Sequence, residues 1–318
     1  MRTVLLGAAG TGTAFALASR IRAVWGADVR IVAVDINPAE LVTTSLLADS
    51  FVQVPLVNDP AYEKCIRELI EAEQVNTFIP ILNDEHVVAV NLLSDPALAK
   101  LDVWSSELYA RCTDKRVADD WLSEIGVPTP MKPDLTEASR GGEWFVKPVN
   151  GVGSRGARRI SAEELHGYDQ ATRETLIVQE VCKEPEVTVD SFHDDRTGAS
   201  FVYCRERLET KAGVCTKARV FFDPELATIA KKIARGLRQR GTLCFQVMKG
   251  LKGWVVTDLN LRSGAGTAIT CSAGFDVLAA AFACRAGEDY TKFLSPIAAG
   301  EEFIVTRQYA EFVMQHRT

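Results

Sequence analysis

A chain of 318 residues, 47% hydrophobic and 25% charged, has the composition of a globular protein long enough for two or three packed units. Its formal net charge of −6 gives no electrostatic reason to expect nucleic acid or an anionic membrane as partner. No uninterrupted apolar run approaches the ~20 residues of a membrane helix. The opening Met1–Gly7 reads as a strand and its turn rather than a signal-peptide core, so a cytoplasmic location is expected.

The first hundred residues alternate strand and helix signals. Thr3–Leu6 is a short apolar strand, Gly7–Gly12 a glycine-rich turn and Ala14–Val24 an amphipathic helix. Val29–Val34 is a second strand ending in Asp35, and Phe51–Pro55 a third, stopped by its proline. Tyr62–Glu73 is helical in period, and Thr77–Leu82 reads as a strand ending at Asn83-Asp84-Glu85. Strands separated by helices pair in parallel, which predicts a doubly wound sheet with its functional groups at the strand carboxyl ends. Gly7–Gly12, Asp35 and Asn83–Glu85 fall there.

The pattern changes near residue 112. Thr113 or Asp114 caps a helix that Gly126 ends. The chain then becomes strand-rich, with strands expected at 143–148, 157–160, 176–180, 186–193, 200–208, 217–222, 243–249 and 254–260. Helices are expected at about 224–240 and 277–286, so this half predicts an α+β unit on antiparallel sheets. The eight cysteines show no metal-ligand spacing and read as structural thiols, with Cys271 kept open because it follows a candidate site loop. The four histidines form no HxH or HExxH group, which argues against a zinc hydrolase.

Three segments carry chemistry. In Phe145-Val-Lys147-Pro-Val-Asn-Gly151-Val-Gly153-Ser154-Arg155-Gly156, a strand delivers a lysine into a glycine-rich loop. Such a loop closes backbone N–H groups on phosphate, or is a plain hairpin turn; it is not a Walker A loop. In Ile177–Cys182, an apolar strand ends in Gln179 and Glu180, whose edge offers the acceptor and donor that an adenine needs. Glu186, Thr188 and Asp190 then share one strand face, either for a ribose or as a solvated surface. Third, Gln246 interrupts the apolar run Leu243–Met248, and a second strand places Asp258, Asn260 and Arg262 on one face. Paired in a hairpin, Gln246 meets Asp258 and Asn260 as oxygen donors suited to Mg2+, with Arg262 one step beyond to neutralise developing charge.

Taken in order, Lys115, Lys147, the Gly151–Gly156 loop, Val178-Gln179-Glu180 with Glu186, and Gln246 with Asp258-Leu-Asn260-Leu-Arg262 resemble the ATP-grasp superfamily, in particular relatives of the carbamoyl-phosphate synthase large subunit. The resemblance implies a Rossmann-like parallel-sheet domain over residues 1–111. An ATP-grasp domain of two α+β subdomains would follow over 112–318, with a lid at 112–180 and a carboxyl-terminal part at 181–318. It further implies ATP with Mg2+ (or Mn2+) as cofactors, small carboxylate and amine substrates, and a homodimer by analogy. Lys115 and Lys147 would contact phosphates, Gly151, Gly153, Ser154 and Arg155 would close over them, and Gln179, Glu180, Val181 and Glu186 would hold adenosine. Gln246, Asp258 and Asn260 would bind the metal, while Arg262, Lys211 and Lys217 would face the reacting phosphoryl and carboxylate groups.

The chain departs from the family motif at Asp258, where Glu is usual, and at Leu261, where Pro is usual. The implied activity is an ATP-dependent ligase working through an acyl phosphate. Two other readings stand beside it: an NAD-dependent oxidoreductase using Gly7–Gly12 and Asp35, and a nucleotide-binding protein without turnover.

Overall fold

The computed structural model describes residues 2–134, 141–150, 156–211 and 214–314. Strands β1 (Arg2–Leu6), β2 (Val29–Asp35), β3 (Ser50–Gln53), β4 (Thr77–Ile79) and β5 (Asp102–Val103) form a parallel sheet in the order β3-β2-β1-β4-β5. The strands β1 and β2 are buried almost throughout, as a parallel sheet covered on its faces requires. Helices α1 (Gly12–Trp25), α2 (Ala61–Ala72) and α3 (Asn83–Leu93) connect them, and the Thr11 hydroxyl accepts the Ala14 N–H to cap α1.

The fourth strand ends earlier than the sequence expectation. The strand from Thr77 stops at Ile79, and Asn83–Glu85 is the first turn of α3 rather than a strand end. The cause is Glu85. Its carboxylate accepts the Ile81 and Leu82 N–H groups (2.8 and 2.9 Å) and the Tyr62 hydroxyl (2.8 Å), capping the helix from inside it.

Helices α4 (Glu107–Arg111) and α5 (Lys115–Glu124) follow, with Asp114 as the cap of α5. A small antiparallel sheet comes next, β6 (Glu143–Pro148), β7 (Arg158–Ser161) and β8 (Leu176–Gln179) in the order β7-β6-β8. Two short helices, α6 (Ala162–His166) and α7 (Gln170–Glu174), lie between β7 and β8. Val146, Ile160, Leu165 and Val178 are its core.

A large antiparallel sheet completes the fold. It contains β9 (Lys183–Asp194), β10 (Ala199–Lys211), β11 (Val214–Phe221), β12 (Arg240–Gly250), β13 (Gly253–Asn260) and β14 (Phe303–Thr306), in the order β13-β12-β9-β10-β11-β14. Helix α8 (Pro224–Leu237) packs Leu226, Ala230 and Ile233 on Val187, Val189, Phe245 and Val256. It stops three residues short of the expected Arg240, because Arg238 takes a left-handed conformation (φ 48°) that ends the helix.

Helices α9 (Thr267–Ser272) and α10 (Val277–Ala286) belong to a second core. There Val277, Leu278 and Phe282 meet Phe192, Tyr203 and Val220 of the large sheet, and Leu17 and Ile21 of α1. Helix α10 is apolar all round and buried, as a helix caught between two layers must be. Arg20–Asp276 at one end and the two-pronged Arg285–Asp102 pair at the other (2.6 and 3.1 Å) tie it to the parallel-sheet unit.

Glycine 7 shows how tightly that unit is set. A Cβ there would stand 2.6 Å from Glu85 Oε2. Gly7→Ala is expected to destabilise the protein by about 1–3 kcal/mol through overpacking, read as a lower midpoint in denaturant. An unchanged midpoint would show that Glu85 has room to step aside.

Candidate active site

The hairpin β12–β13 places its polar groups as the period-two reading expected. Gln246 pairs with Asp258 and Cys244 with Asn260 in the register. The Asp258 carboxylate, half-buried, receives Lys115 Nζ at 3.0 Å on one oxygen and Asn260 Nδ2 at 2.8 Å on the other. Lys115 reaches it from the first turn of α5, whose start is fixed by the Asp114 cap and by Lys115 N–H to Val149 O (3.2 Å).

Lys147 arrives from β6. It is 6% exposed, and its Nζ donates to Thr257 O at 2.9 Å. Burial lowers its pKa, with the nearby Asp119 and Asp258 carboxylates opposing the shift. Burial also pushes Asp258 upward, but the Lys115 charge and hydrogen bond, then Lys147 and Asn260, outweigh it and hold the carboxyl below the ordinary aspartate range. Lys115 thus pairs directly with Asp258, while Lys147, bonded to the Thr257 carbonyl, lies within electrostatic reach of both Asp119 and Asp258. The oxygen donors Gln246, Asp258 and Asn260 suit a hard divalent cation that shares its shell with water and phosphate. An ion entering there would take over part of the charge that Lys115 now balances.

Arg262 follows the hairpin. Its Nη1 donates to Ser263 O (2.9 Å), and its buried Nε has no hydrogen-bond partner among the described residues, which leaves a donor for an anion. The loop after it rests on a buried pair. Asp190, fully buried, accepts Arg205 Nε (3.2 Å), Thr267 Oγ1 (2.8 Å) and Thr270 Oγ1 (2.6 Å). A Cβ on Gly266 would lie 2.5 Å from the Arg205 guanidinium carbon, so the loop sits directly on that side chain.

Other sequence-predicted residues are placed as follows. Glu180 is buried, and its carboxylate accepts Met131 N–H and Leu251 N–H, both at 2.8 Å, while its own N–H donates to Met131 O. Its side chain thus staples the segment before β6, the end of β8 and the β12–β13 turn. Gln179 beside it is buried, and its Oε1 lacks a partner among the described residues. Glu186 is paired with Arg207 at 2.6 Å. Lys217 and Lys211 are exposed near the end of the β10–β11 ladder, at 2.9 and 3.8 Å from Glu209. Gly151, Gly153, Ser154 and Arg155 lie outside the described residues. Val181 follows β8 next to Cys182.

Three groups were missed in the sequence. Glu209 is an acid embraced by both lysines, Asp119 is a buried carboxyl raised by burial beside Lys147, and the Asp190–Arg205 pair supports the loop. The first two gave no signal. The third had one, since Asp190 shares a strand face with Thr188, and that face is buried rather than solvated. Cys271 is buried, and burial raises its thiol well above the ordinary value, so it does not behave as a nucleophile.

The dinucleotide reading of the parallel sheet finds its carboxylate engaged. Asp35 accepts Gly10 N–H (2.7 Å), Asn37 N–H (3.0 Å) and Asn37 Nδ2 (2.9 Å), which closes the glycine turn on the acid that a ribose would need.

A cavity of about 140 Å3 opens between the two units, past Arg262. Ile79–Ile81, Trp104–Ser106 and Tyr109 line one side, and residues 238–242 the other.

Comparison with known proteins agrees with this architecture. Over 90% of this chain and 70% of the other, the fold superposes on the biotin carboxylase domain of Hydrogenobacter thermophilus 2-oxoglutarate carboxylase, with a TM-score of 0.69 at 17% identity. The N5-carboxyaminoimidazole ribonucleotide synthetase of Thermotoga maritima gives 0.69 at 14% identity, over 91% and 77% of the two chains. These likenesses show a fold shared with both solved proteins. Residues 172–303 match the family model described as ATP-grasp in the biosynthetic pathway with Ter operon. The chain is also similar to the 3-methyl-D-ornithine–L-lysine ligases of Methanosarcina barkeri and Methanosarcina acetivorans. Identity is 24% over 259 and 261 residues, covering 79% of this chain. It spans 66% of the length of those relatives.

The charge cluster makes a prediction of its own. By carbon-13 NMR the Asp258 carboxyl is expected to titrate below the ordinary value of about 3.9, and Lys115→Met is expected to move it upward, because the cation that holds it down is gone. An unmoved titration would show that the Lys115 contact does not persist in solution.

Proposed function

We propose that the chain is an ATP-dependent ligase that activates a carboxylate as an acyl phosphate and couples it to an amine, releasing ADP and phosphate. The observation that carries this reading is the Lys115–Asp258 pair beside Asn260, with the buried Lys147 on the neighbouring Thr257 carbonyl and an Arg262 Nε that has no partner among the described residues. Phosphoryl transfer asks the protein mainly for positioning and countercharge, and this cluster supplies both. The ATP-grasp fold supports the nucleotide, and the two Methanosarcina relatives, named as ligases of amino acids, support the carbon–nitrogen coupling.

On this reading Lys115 and Lys147 turn their ammonium groups to the ATP phosphates, and Gly151, Gly153, Ser154 and Arg155 close over them. The Glu180 carbonyl and the Val181 backbone meet adenine next to Gln179, and Glu186 exchanges Arg207 for a ribose. Gln246, Asp258 and Asn260 hold Mg2+ or Mn2+, which supplies charge neutralisation along the phosphates. Arg262 donates to the carboxylate under attack and to the phosphoryl oxygens as charge gathers on them. Lys211 and Lys217 swing from Glu209 toward the same groups.

The reading also divides the chain at residue 111. It makes 112–180 the lid over 181–318, within a cytoplasmic homodimer. Among the described residues no helix is long and apolar enough to cross a membrane.

The test is phosphate release from Mg·ATP against a panel of small carboxylates and amines. Acid-dependent release is expected, with Asp258→Ala lowering kcat about 10²-fold or more. Arg262→Gln should lower kcat while leaving ATP affinity near the wild-type value. Tight ATP binding without release across the panel would sink the ligase reading and leave a nucleotide-binding protein without turnover.

The alkaline side gives a second check. Because burial lowers the Lys147 pKa, ATP affinity is expected to fall away below the usual lysine value of about 10.4. An unshifted limb would mean that Lys147 is more hydrated than its position implies.

A further inference from the structure

The cavity between the two units has a one-sided chemistry. Among the described residues that line it there is no Asp or Glu, and there are four arginines: Arg238, Arg240, Arg262 and Arg285. Arg285 is neutralised by Asp102, which lies outside the lining, while among the described residues no ion pair engages the other three. Several hydrogen-bond acceptors of the wall are already engaged. Tyr109 donates to Gln239 Oε1, Gln239 Nε2 to Thr242 O (3.2 Å), Arg262 to Ser263 O and Arg285 to Arg240 O (3.4 Å).

Donors are in surplus. Trp104 Nε1, Thr242 Oγ1 and Arg262 Nε are buried without a partner, three of the nine such atoms found among the described residues. Burial of each without a partner costs free energy, and the Trp104 and Arg262 N–H groups can be satisfied only by an acceptor, while the Thr242 hydroxyl can also donate to one. His86, beside this wall through its contact with Ser105 Oγ (3.0 Å), adds no acid. Burial, with the Arg262 charge, lowers its pKa to about 3 and keeps it neutral.

We infer that this cavity takes the acid substrate, and that the substrate is a small dicarboxylic acid rather than a diamino acid. The inference rests on the ligase reading for which carboxylate reacts, but not for what the cavity binds. One carboxylate meets Arg262, and the second meets the exposed Arg238 and Arg240 at the rim. An ammonium group would find no carboxylate on the lining and three unpaired guanidinium groups facing it. The volume, well below the ~300 Å3 at which drug-sized ligand pockets begin, limits the acid to a few carbons.

Isothermal titration calorimetry of the full chain, with and without Mg·ADP, tests this directly with succinate, glutarate, propionate and L-lysine as probes. Succinate or glutarate should bind at least about tenfold tighter than L-lysine. Arg240→Gln should weaken the dicarboxylates about tenfold and leave propionate within about twofold. Thr242→Val, which removes an unpartnered donor and keeps the shape, should weaken every acid that enters.

L-lysine binding as tightly as the dicarboxylates would overturn the assignment. So would dicarboxylate affinity untouched by both substitutions in a variant whose melting temperature is unchanged. Absence of dicarboxylate binding, with and without Mg·ADP, would overturn it as well. Phosphate release separates the two claims: turnover with diamino acids alone leaves the ligase reading standing and removes this one. Dicarboxylate binding without turnover does the reverse.

Discussion

Two lysines and one aspartate set the geometry on which the candidate site depends. A buried ammonium such as Lys147 is costly without a partner, and the Asp258 carboxylate and Thr257 carbonyl between them supply one. The Lys147–Thr257 bond ties β6 of the small sheet to β13 of the hairpin. The Lys115 ammonium, 3.0 Å from Asp258, ties the first turn of α5 to the same strand. The pair is half-exposed, so it contributes modestly to stability. Its larger effect is on position, with three elements from different parts of the chain held at one point. Proposed catalysis would exchange this arrangement rather than build one, with phosphates replacing the carboxylate as partner of the ammonium groups.

The scaffold beneath is stiffer than the site it carries. Helix α10 is buried on every side between two layers, and charge pairs at both ends hold the parallel-sheet unit against the large sheet. The Asp190–Arg205 pair does comparable work for the loop after Arg262. Four polar groups satisfy one another in a fully buried setting, and the glycine at 266 allows the loop to lie on the guanidinium. A buried network that is satisfied on every side rigidifies its surroundings. Arg262 therefore follows on a backbone with little freedom, which on the proposed reading would suit a donor that meets developing charge without reorganising.

The sequence revealed most where chemistry and period coincide. Gln246 inside an apolar strand and Asp258, Asn260 and Arg262 at alternate positions implied a hairpin with a shared polar face, and the register pairs Gln246 with Asp258. Asp114 as a helix cap and the doubly wound order of the first sheet were legible for the same reason, local pattern matching local structure. Glu180 shows the limit. Its backbone position at the end of β8 was readable, but its side chain is held by Met131 and Leu251, 49 and 71 residues away, and no local rule finds such partners. Glu85 misled for a related reason. An acid after an apolar run resembles a strand end, and only the return to Ile81 and Leu82 N–H groups reveals a helix start. Short elements such as α6, α7, α9 and β14, four to six residues each, fall below the length at which periodicity speaks.

These placements divide the acids from the bases in a way that bears on binding. At the carboxyl ends of the parallel sheet, Asp35 and Glu85 are consumed by backbone N–H groups, so the acids there close turns and leave little to attract a cation. On the facing side the cations Arg238, Arg240 and Arg262 have no ion pair among the described residues, Lys115 pairs with Asp258, and Lys147 lies on the Thr257 carbonyl near Asp119 and Asp258. The chain as a whole carries a formal charge of −6, so this local excess of positive charge runs against the composition. A cleft with low-dielectric walls focuses such an excess and draws anions into it despite an acidic exterior. A nucleotide and a carboxylic acid are both anions and repel one another. On the proposed reading, holding them close enough to react would ask for an interior richer in positive charge than either ligand alone would need, and the residues at the head of β12, the end of β13 and the start of α5 would provide it.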